Sequence, residues 1–197
     1  MKNPARLVVM TSGPGSNLQA LIDACEAGQL AAQVVGVISS RADAYGLQRA
    51  ERRQIPALLC PPTLPREAYD ADLAQVVARL KPDWVVLTSW AHLLGMNFLQ
   101  QFPGRVINLH AALPGQFPGV HPIERAFEAA QQGQINTTGV MVHWVLDERV
   151  ENGPVLVSQT VPILPDDTLP NLTDRVQAVE HQLVVEAIRK LIAAEGS

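Results

Sequence analysis

Asn108 and His110 stand two positions apart at the end of an apolar run, "RVINLH", immediately before a loop that holds three prolines and two glycines, "AALPGQFPGVHP". Side chains alternate along a strand, so residues i and i+2 leave the same face. A strand that reaches His110 therefore delivers an amide and an imidazole into one space. Histidine, with an unperturbed pKa of about 6.5, passes protons near neutrality. An amide donor stabilises a developing oxyanion without titrating. Together they suit addition of a nucleophile to a carbonyl carbon, although an Asn-x-His pair can also simply cap a strand and tie down the loop after it.

Two further segments carry candidate chemistry. "TSGPGSNLQAL", residues 11–21, is a Gly-rich turn between an apolar run and a helical pattern. Free N–H groups at a helix N-terminus bind anions, and glycines let a ligand approach the main chain. Gly15, Ser16 and Asn17 form a cradle for one phosphate; the plainer reading makes Ser16 an ordinary N-cap. A dinucleotide site fits less well, because G-x-G-x-x-G needs a third glycine where Leu18 stands and an acidic residue where the second strand ends in "SSRAD". Only Arg41 speaks for a 2′-phosphate there. "LDERVENGPV", residues 146–155, brings Asp147, Glu148 and Glu151 to a loop tip, where carboxylates are usually solvated. One of them beside His110 would orient the ring and raise its pKa. His143 alternates with Met141 and Val145 and reads as a packed histidine, and His121 can be read either way. No residues have metal-ligand spacing, and no nucleophilic serine or cysteine motif occurs.

The elements that must hold these groups follow from periodicity. Short Val- and Ile-rich runs alternate with helical segments from "RLVVMTS" through "DWVVLTS", the pattern of βαβ units around a parallel sheet buried on both faces. Ligands of such sheets lie beyond the carboxyl ends of the strands. After Gly104 come "RVINLH", the Pro/Gly loop, a helix near "IERAFEAAQQG", and two β runs, "TTGVMVHWVL" and "GPVLVSQTVPI". The connection between these runs is too short for a parallel crossover, which takes roughly a dozen residues, so they form an antiparallel pair. A helix from Asn171 to about Ala194 closes the chain. The expected fold is α/β: a doubly wound, mostly parallel sheet with helices on both faces and an antiparallel hairpin near the C-terminus, in a single domain over residues 1–197.

Composition narrows the function. With 47% hydrophobic and 17% charged residues among 197, the chain is an ordinary globular one. Fifteen Lys and Arg against nineteen Asp and Glu leave a net charge of −4 with no basic run, which speaks against nucleic acid as a partner. Cys25 and Cys60 have no metal or redox spacing, and a reduced cytoplasm suits them. The apolar run Leu7–Met10 is too short for a signal peptide or a membrane span.

Taken together, "SGPGSNLQALIDAC", "NLHAALPGQFPGVHPIERAFE", "TGVMVHWVLDERVENGPVL" and "RVQAVEHQL" resemble, in order and over nearly the whole chain, the glycinamide ribonucleotide formyltransferases of the folate-dependent formyltransferase family. The resemblance implies that the amine of 5-phosphoribosylglycinamide attacks the formyl group of 10-formyltetrahydrofolate, a co-substrate, without a metal, in purine biosynthesis. It implies Asn108 as donor to the oxyanion, His110 as proton carrier and Glu151 as the carboxylate that orients it. Gly15, Ser16 and Asn17 would hold the phosphate, with Gln177 and Glu180 reaching the ribose and glycinamide from one face of the last helix. The folate would lie along Ala91, His92, Leu93 and Leu94, against Asn108, Leu146, Asp147 and the rest of the hairpin to Glu151, with Arg66 near its glutamate tail. The protein would be a monomer or homodimer.

Three residues depart from the family pattern. Glu151 replaces an aspartate, Ala111 a proline that would stiffen the loop, and His92 an arginine of the folate segment. Other readings are formyl transfer to a different amine, such as a nucleotide sugar or methionyl-tRNA, or a folate binder that has lost catalysis. The tRNA enzymes carry an extra C-terminal RNA-binding domain for which this sequence leaves no room.

Overall fold

A computed structural model describes residues 3–148 and 153–195. Seven strands form one sheet in the order β3-β2-β1-β4-β5-β6-β7. The strands are β1 (Ala5–Met10), β2 (Ala32–Ser39), β3 (Ala57–Leu59), β4 (Trp84–Thr88), β5 (Val106–His110), β6 (Thr137–Trp144) and β7 (Val155–Pro162). β1 to β5 pair in parallel, while β6 runs antiparallel to both of its neighbours. The chain winds outward from β1 to β3 and then returns to place β4 on the other side of β1. The switch point of the sheet thus lies between β1 and β4.

Helices α1 (Ser16–Glu26), α2 (Tyr45–Arg52), α5 (Pro122–Gln131) and α6 (Leu169–Ala194) cover one face; α3 (Arg66–Arg79) and the short α4 (Met96–Leu99) cover the other. The alternation of β1 shows the division: Leu7 and Val9 pack with Leu21 and Leu183, whereas Val8 and Met10 pack with Leu73 and Phe98. Strands buried on both faces need apolar residues at every position, which is why these segments read as continuous hydrophobic runs. In β5, Ile107 and Leu109 join the α1/α6 layer and Val106 the α3/α4 layer. Asn108 and His110 share the parity of Val106 and so project toward α3 and α4.

The elements agree with the periodicity, with two differences at helix ends. α6 begins at Leu169, two residues ahead of the expected Asn171, because Thr168 caps it by accepting the Asn171 N–H and Pro170 fits a first turn. α1 has no side-chain cap. Its N-cap is Gly15 at φ 72°, and Ser16 is already helical, so Ser16 is not the N-cap of the plainer reading. The four-residue α4 has no signal of its own. It forms where Gly95 brings its N–H to Asp70 Oδ2 at 2.7 Å.

Candidate active site

The carboxyl ends of β1, β4 and β5 lie side by side, and each delivers one part of the site. After β1 the chain turns through Gly13, Pro14 and Gly15 into α1. A Cβ on Gly15 would lie 2.7 Å from the Gly46 Cα, and its φ of 72° is left-handed. Glycine is therefore required twice over, by conformation and by space. Asn17, buried, donates from Nδ2 to Glu180 Oε2 at 3.2 Å. This contact spans 163 residues and brings the α6 face bearing Gln177 and Glu180 to the start of α1. Burial raises the Glu180 carboxyl above its ordinary range, and the Asn17 amide opposes that rise. Asn17 Oδ1 is buried without a partner among the described residues, a polar atom held ready for a donor.

After β4 the segment from Ser89 to Leu94 passes over the α3/α4 side. Ser12 ties it to the first loop: its N–H donates to the Ser89 carbonyl at 3.1 Å and its Oγ accepts the Ala91 N–H at 3.3 Å. The His92 ring meets Tyr69 and Trp90 edge-on, with centroids 6.2 and 5.9 Å away. Leu93 is 60% exposed, but the Leu94 side chain is wholly buried in the core. Of these expected folate contacts, Leu94 could offer only its main chain. A cavity of about 340 Å³ is lined here by Pro62, Leu64, Arg66, Tyr69, Asp70, Ala91, His92 and Leu93. A second, of about 450 Å³, shares Arg66 and Asp70 and adds Glu67, Gly95, Met96, Asn97 and Glu148. The first is an apolar slot with a guanidinium at its border. It suits a flat ring system that ends in a carboxylate.

On β5, His110 is buried and Asn108 partly so. The Asn108 amide is oriented from β6, where Asn108 pairs with His143 in the ladder. His143 Nδ1 lies 3.1 Å from the Trp144 carbonyl, which can only accept, so that nitrogen carries the proton. Nε2 then presents its lone pair to Asn108 Nδ2 at 3.2 Å. One amide hydrogen is thereby committed to His143, and this fixes which way the amide faces. The sequence reading missed this role for His143; alternation alone made it a core residue, and only the β5/β6 register reveals its partner.

His110 Nε2 lies 3.2 Å from the Phe117 carbonyl and donates to it by the same logic. The loop after β5 thus closes over the imidazole. It is held by an Arg125 Nη1 contact to the Pro118 carbonyl and by the Arg125 guanidinium over the Phe117 ring at 5.7 Å. Gly115, Phe117, Gly119 and His121 all have positive φ. For Phe117 and His121 the left-handed region costs on the order of 1 kcal/mol each, offset by these contacts. Ala111, buried against the α1/α6 layer, leaves the loop to be fixed by side-chain and carbonyl contacts instead of a proline ring.

The β6–β7 connection supplies the third side. Glu148 reaches Arg66 Nη2 at 3.3 Å and the Met96 N–H at 3.4 Å, and Leu146 is half exposed. Asp147 is partly buried beside it. The segment therefore lies along the α3/α4 side, where Asn108 and His110 point. Glu151, the expected carboxylate beside His110, lies outside the described residues. Buried Asp70 accepts from Gly95, lies 3.8 Å from Arg66 Nε, and has its carboxyl raised by burial. Arg41, the candidate for a 2′-phosphate, is committed to Asp43 at 3.0 and 2.7 Å. His121 starts α5 and lies 3.4 Å from Glu124, exposed to solvent. Among the described residues no cluster of three or more His, Cys, Asp or Glu could hold a metal ion, and no helix is long and apolar enough to cross a membrane.

An amide and an imidazole on one face of β5, between the glycine turn that opens α1 and an apolar slot, lie at the carboxyl edge of a doubly wound sheet. The formyl transferase family profile matches residues 5–188, and the chain belongs to that family. Among its relatives, the phosphoribosylglycinamide formyltransferase of Schizosaccharomyces pombe is 46% identical over 202 residues, covering 95% of this chain and 97% of its own. That of Escherichia coli is 37% identical, covering 90% and 82%. The crystal structure of glycinamide ribonucleotide transformylase 1 from Symbiobacterium toebii superposes with a TM-score of 0.90 at 37% identity, over 100% of this chain and 90% of that one.

Proposed function

We propose that this protein transfers the formyl group of 10-formyltetrahydrofolate to the amine of 5-phosphoribosylglycinamide, in the cytoplasm, as a step of purine biosynthesis. The observation that carries this reading is the placement of Asn108 and His110 on one face of β5, with the Asn108 amide oriented by His143. Near-full-length similarity to enzymes of that name supports the choice of substrates.

In this reading Gly15, Ser16 and Asn17 would hold the substrate phosphate with main-chain N–H groups at the start of α1. Gln177 and Glu180 would reach the ribose and glycinamide from α6. The folate ring would occupy the slot beside Ala91, His92 and Leu93, with Leu146 and Asp147 on its other side and Arg66 near the glutamate carboxylates. The Asn108 hydrogen not spent on His143 would donate to the formyl oxygen as the amine adds and negative charge develops there. Such a donor typically contributes a factor of about 10²–10³. His110 would take the proton from the attacking nitrogen and return one to the departing folate nitrogen, which requires it to release the Phe117 carbonyl on one ring nitrogen or to use the other. Glu151 would orient that ring.

Incubating the protein with both substrates and following tetrahydrofolate release tests the assignment, and the expected outcome is turnover that depends on both. Turnover with a nucleotide-sugar amine and none with 5-phosphoribosylglycinamide would refute it.

A further inference from the structure

Resting on the reading that the substrate phosphate binds at Gly15–Asn17, we propose that Arg49 is the positioning residue that fixes the phosphate turn, holding it from the α2 side as α6 holds it from the other. Arg49 lies one turn into α2 and is committed in two directions. Its Nε donates to the Pro14 carbonyl at 2.9 Å and its Nη1 to Gln19 Oε1 at 3.1 Å. Gln19 in turn donates from Nε2 to Asp23 Oδ1 at 2.8 Å, one turn further along α1. One planar guanidinium therefore joins the turn to the helix whose N-terminus would receive the phosphate.

Gly46, at the second position of α2, completes the junction: its N–H donates to the Gly13 carbonyl at 3.3 Å. The carbonyls of Gly13 and Pro14 are thus both turned toward α2. The first helical bond of α1 runs from the Gln19 N–H to the Gly15 carbonyl at 3.0 Å, so the N–H groups of residues 16–18 lie ahead of the helical ladder. The packing leaves no slack. A Cβ on Gly15 would meet Gly46 Cα at 2.7 Å and Arg49 Cδ at 3.4 Å, and one on Gly46 would meet Thr11 Cγ2 at 2.6 Å.

Arg49 also belongs electrostatically to this end of the molecule. Burial lowers the pKa of His181, the residue after Glu180 on α6, and the Arg49 charge lowers it further. The guanidinium is therefore near enough to α6 for its charge to be felt at His181, beside Glu180. A lysine would keep the charge there but has no planar fork to hold two acceptors at once. Main-chain recognition of a phosphate depends on where the N–H groups point, and a misplacement of about 1 Å can cost about a hundredfold. This makes the fork's geometry, beyond its charge, the feature that matters.

The test compares the unaltered protein with Arg49→Gln, Arg49→Lys and Gln19→Leu by steady-state kinetics and by calorimetric titration with ribose 5-phosphate, thermal unfolding reporting that each variant is folded. Arg49→Gln is expected to raise the KM for 5-phosphoribosylglycinamide and the Kd for ribose 5-phosphate about tenfold, with kcat and the folate KM within about twofold. Arg49→Lys should recover only part of this, and Gln19→Leu, which leaves the charge in place, should weaken both about threefold. Wild-type affinity for ribose 5-phosphate in all three variants, or complete recovery with lysine, overturns the proposal. Absence of ribose 5-phosphate binding by the unaltered protein would sink the phosphate-site reading and the proposal with it, whereas unchanged affinity in every variant sinks the proposal alone.

Discussion

The two ends of the active cleft are built differently. At the proposed phosphate end, regular elements meet through contacts of 2.8–3.3 Å: the N-terminus of α1, the first turn of α2 and the 26-residue α6. At the proposed folate end, α3 and α4 face connecting segments, Ala91–Leu94 and residues 146–148. Arg66 there meets its carboxylates only at 3.3 and 3.8 Å, with leucines left in solvent. A phosphate is recognised by main-chain geometry, which must be fixed in advance. A heterocycle is recognised by apolar area, which segments far apart in sequence can supply on arrival. Between the ends, β5 contributes the groups that would do chemistry and is paired on both sides within the sheet.

If this division is right, lesions should sort by region. The largest effects belong to β5: His110→Ala is expected to lower kcat by about 10²–10⁴, and Asn108→Leu by about 10²–10³, with both KM values little changed. Single-turnover rates check this, and a lesion on β5 that instead acted on KM alone would erase the contrast with the binding ends. Next comes the phosphate end. Gly15→Ala forces a Cβ to within 2.7 Å of Gly46 Cα at a left-handed φ, so the KM for 5-phosphoribosylglycinamide should rise at least about tenfold while the folate KM stays put. A smaller effect is expected at the folate end. Arg66→Gln removes a half-exposed charge, and such charges are worth up to about 1 kcal/mol, so the folate KM should rise no more than about fivefold. That rise should vanish with a folate lacking its glutamate, and persistence of the rise would detach Arg66 from the tail.

The smallest expected effect concerns the anchoring of α6. Arg175 grips Asp167 through two bonds of 2.6 and 2.7 Å and also donates to the Pro162 carbonyl at 2.9 Å. The guanidinium lowers the Asp167 carboxyl to about 2, against about 3.9 in an unfolded chain. A lowered carboxyl contributes stability that is complete above the unfolded value and is lost as pH falls through the folded one. Asp167→Asn should therefore lower Tm at pH 7, and the difference from the unaltered protein should shrink as pH falls from about 4 to about 2. Thermal melts across that window are the measurement; a constant gap would mean that the ion pair does not brace α6.

The parts legible in the sequence are those whose signal is local. Continuous apolar runs separated by helical periods gave away the five parallel strands, and the brief link after Trp144 the antiparallel pair. Gly15 was legible as the mark of a tight turn, but its service as N-cap in place of Ser16 was not, because that depends on Gly46 pressing against it from α2. α4 was invisible: four residues are too few for a period, and a buried Asp70 from another helix begins it. His143 is the packed, satisfied histidine its alternation indicated, but its pairing with Asn108 was not legible, for a related reason. Its partner is chosen by the register between β5 and β6, which sets it opposite Asn108.

By itself, then, the order of residues determined the sheet, the turn after β1 and an amide and imidazole on one face of β5, since strand alternation and glycine stereochemistry act over a few residues. Tertiary structure alone decided that His143 would aim the Asn108 amide, that the Phe117 carbonyl would cover His110, and that Arg49 and Glu180 would grip the start of α1 from opposite sides. Those contacts join residues up to 163 positions apart. Hydrogen bonds of that kind exist only once the buried faces of the helices have fixed where each element stands.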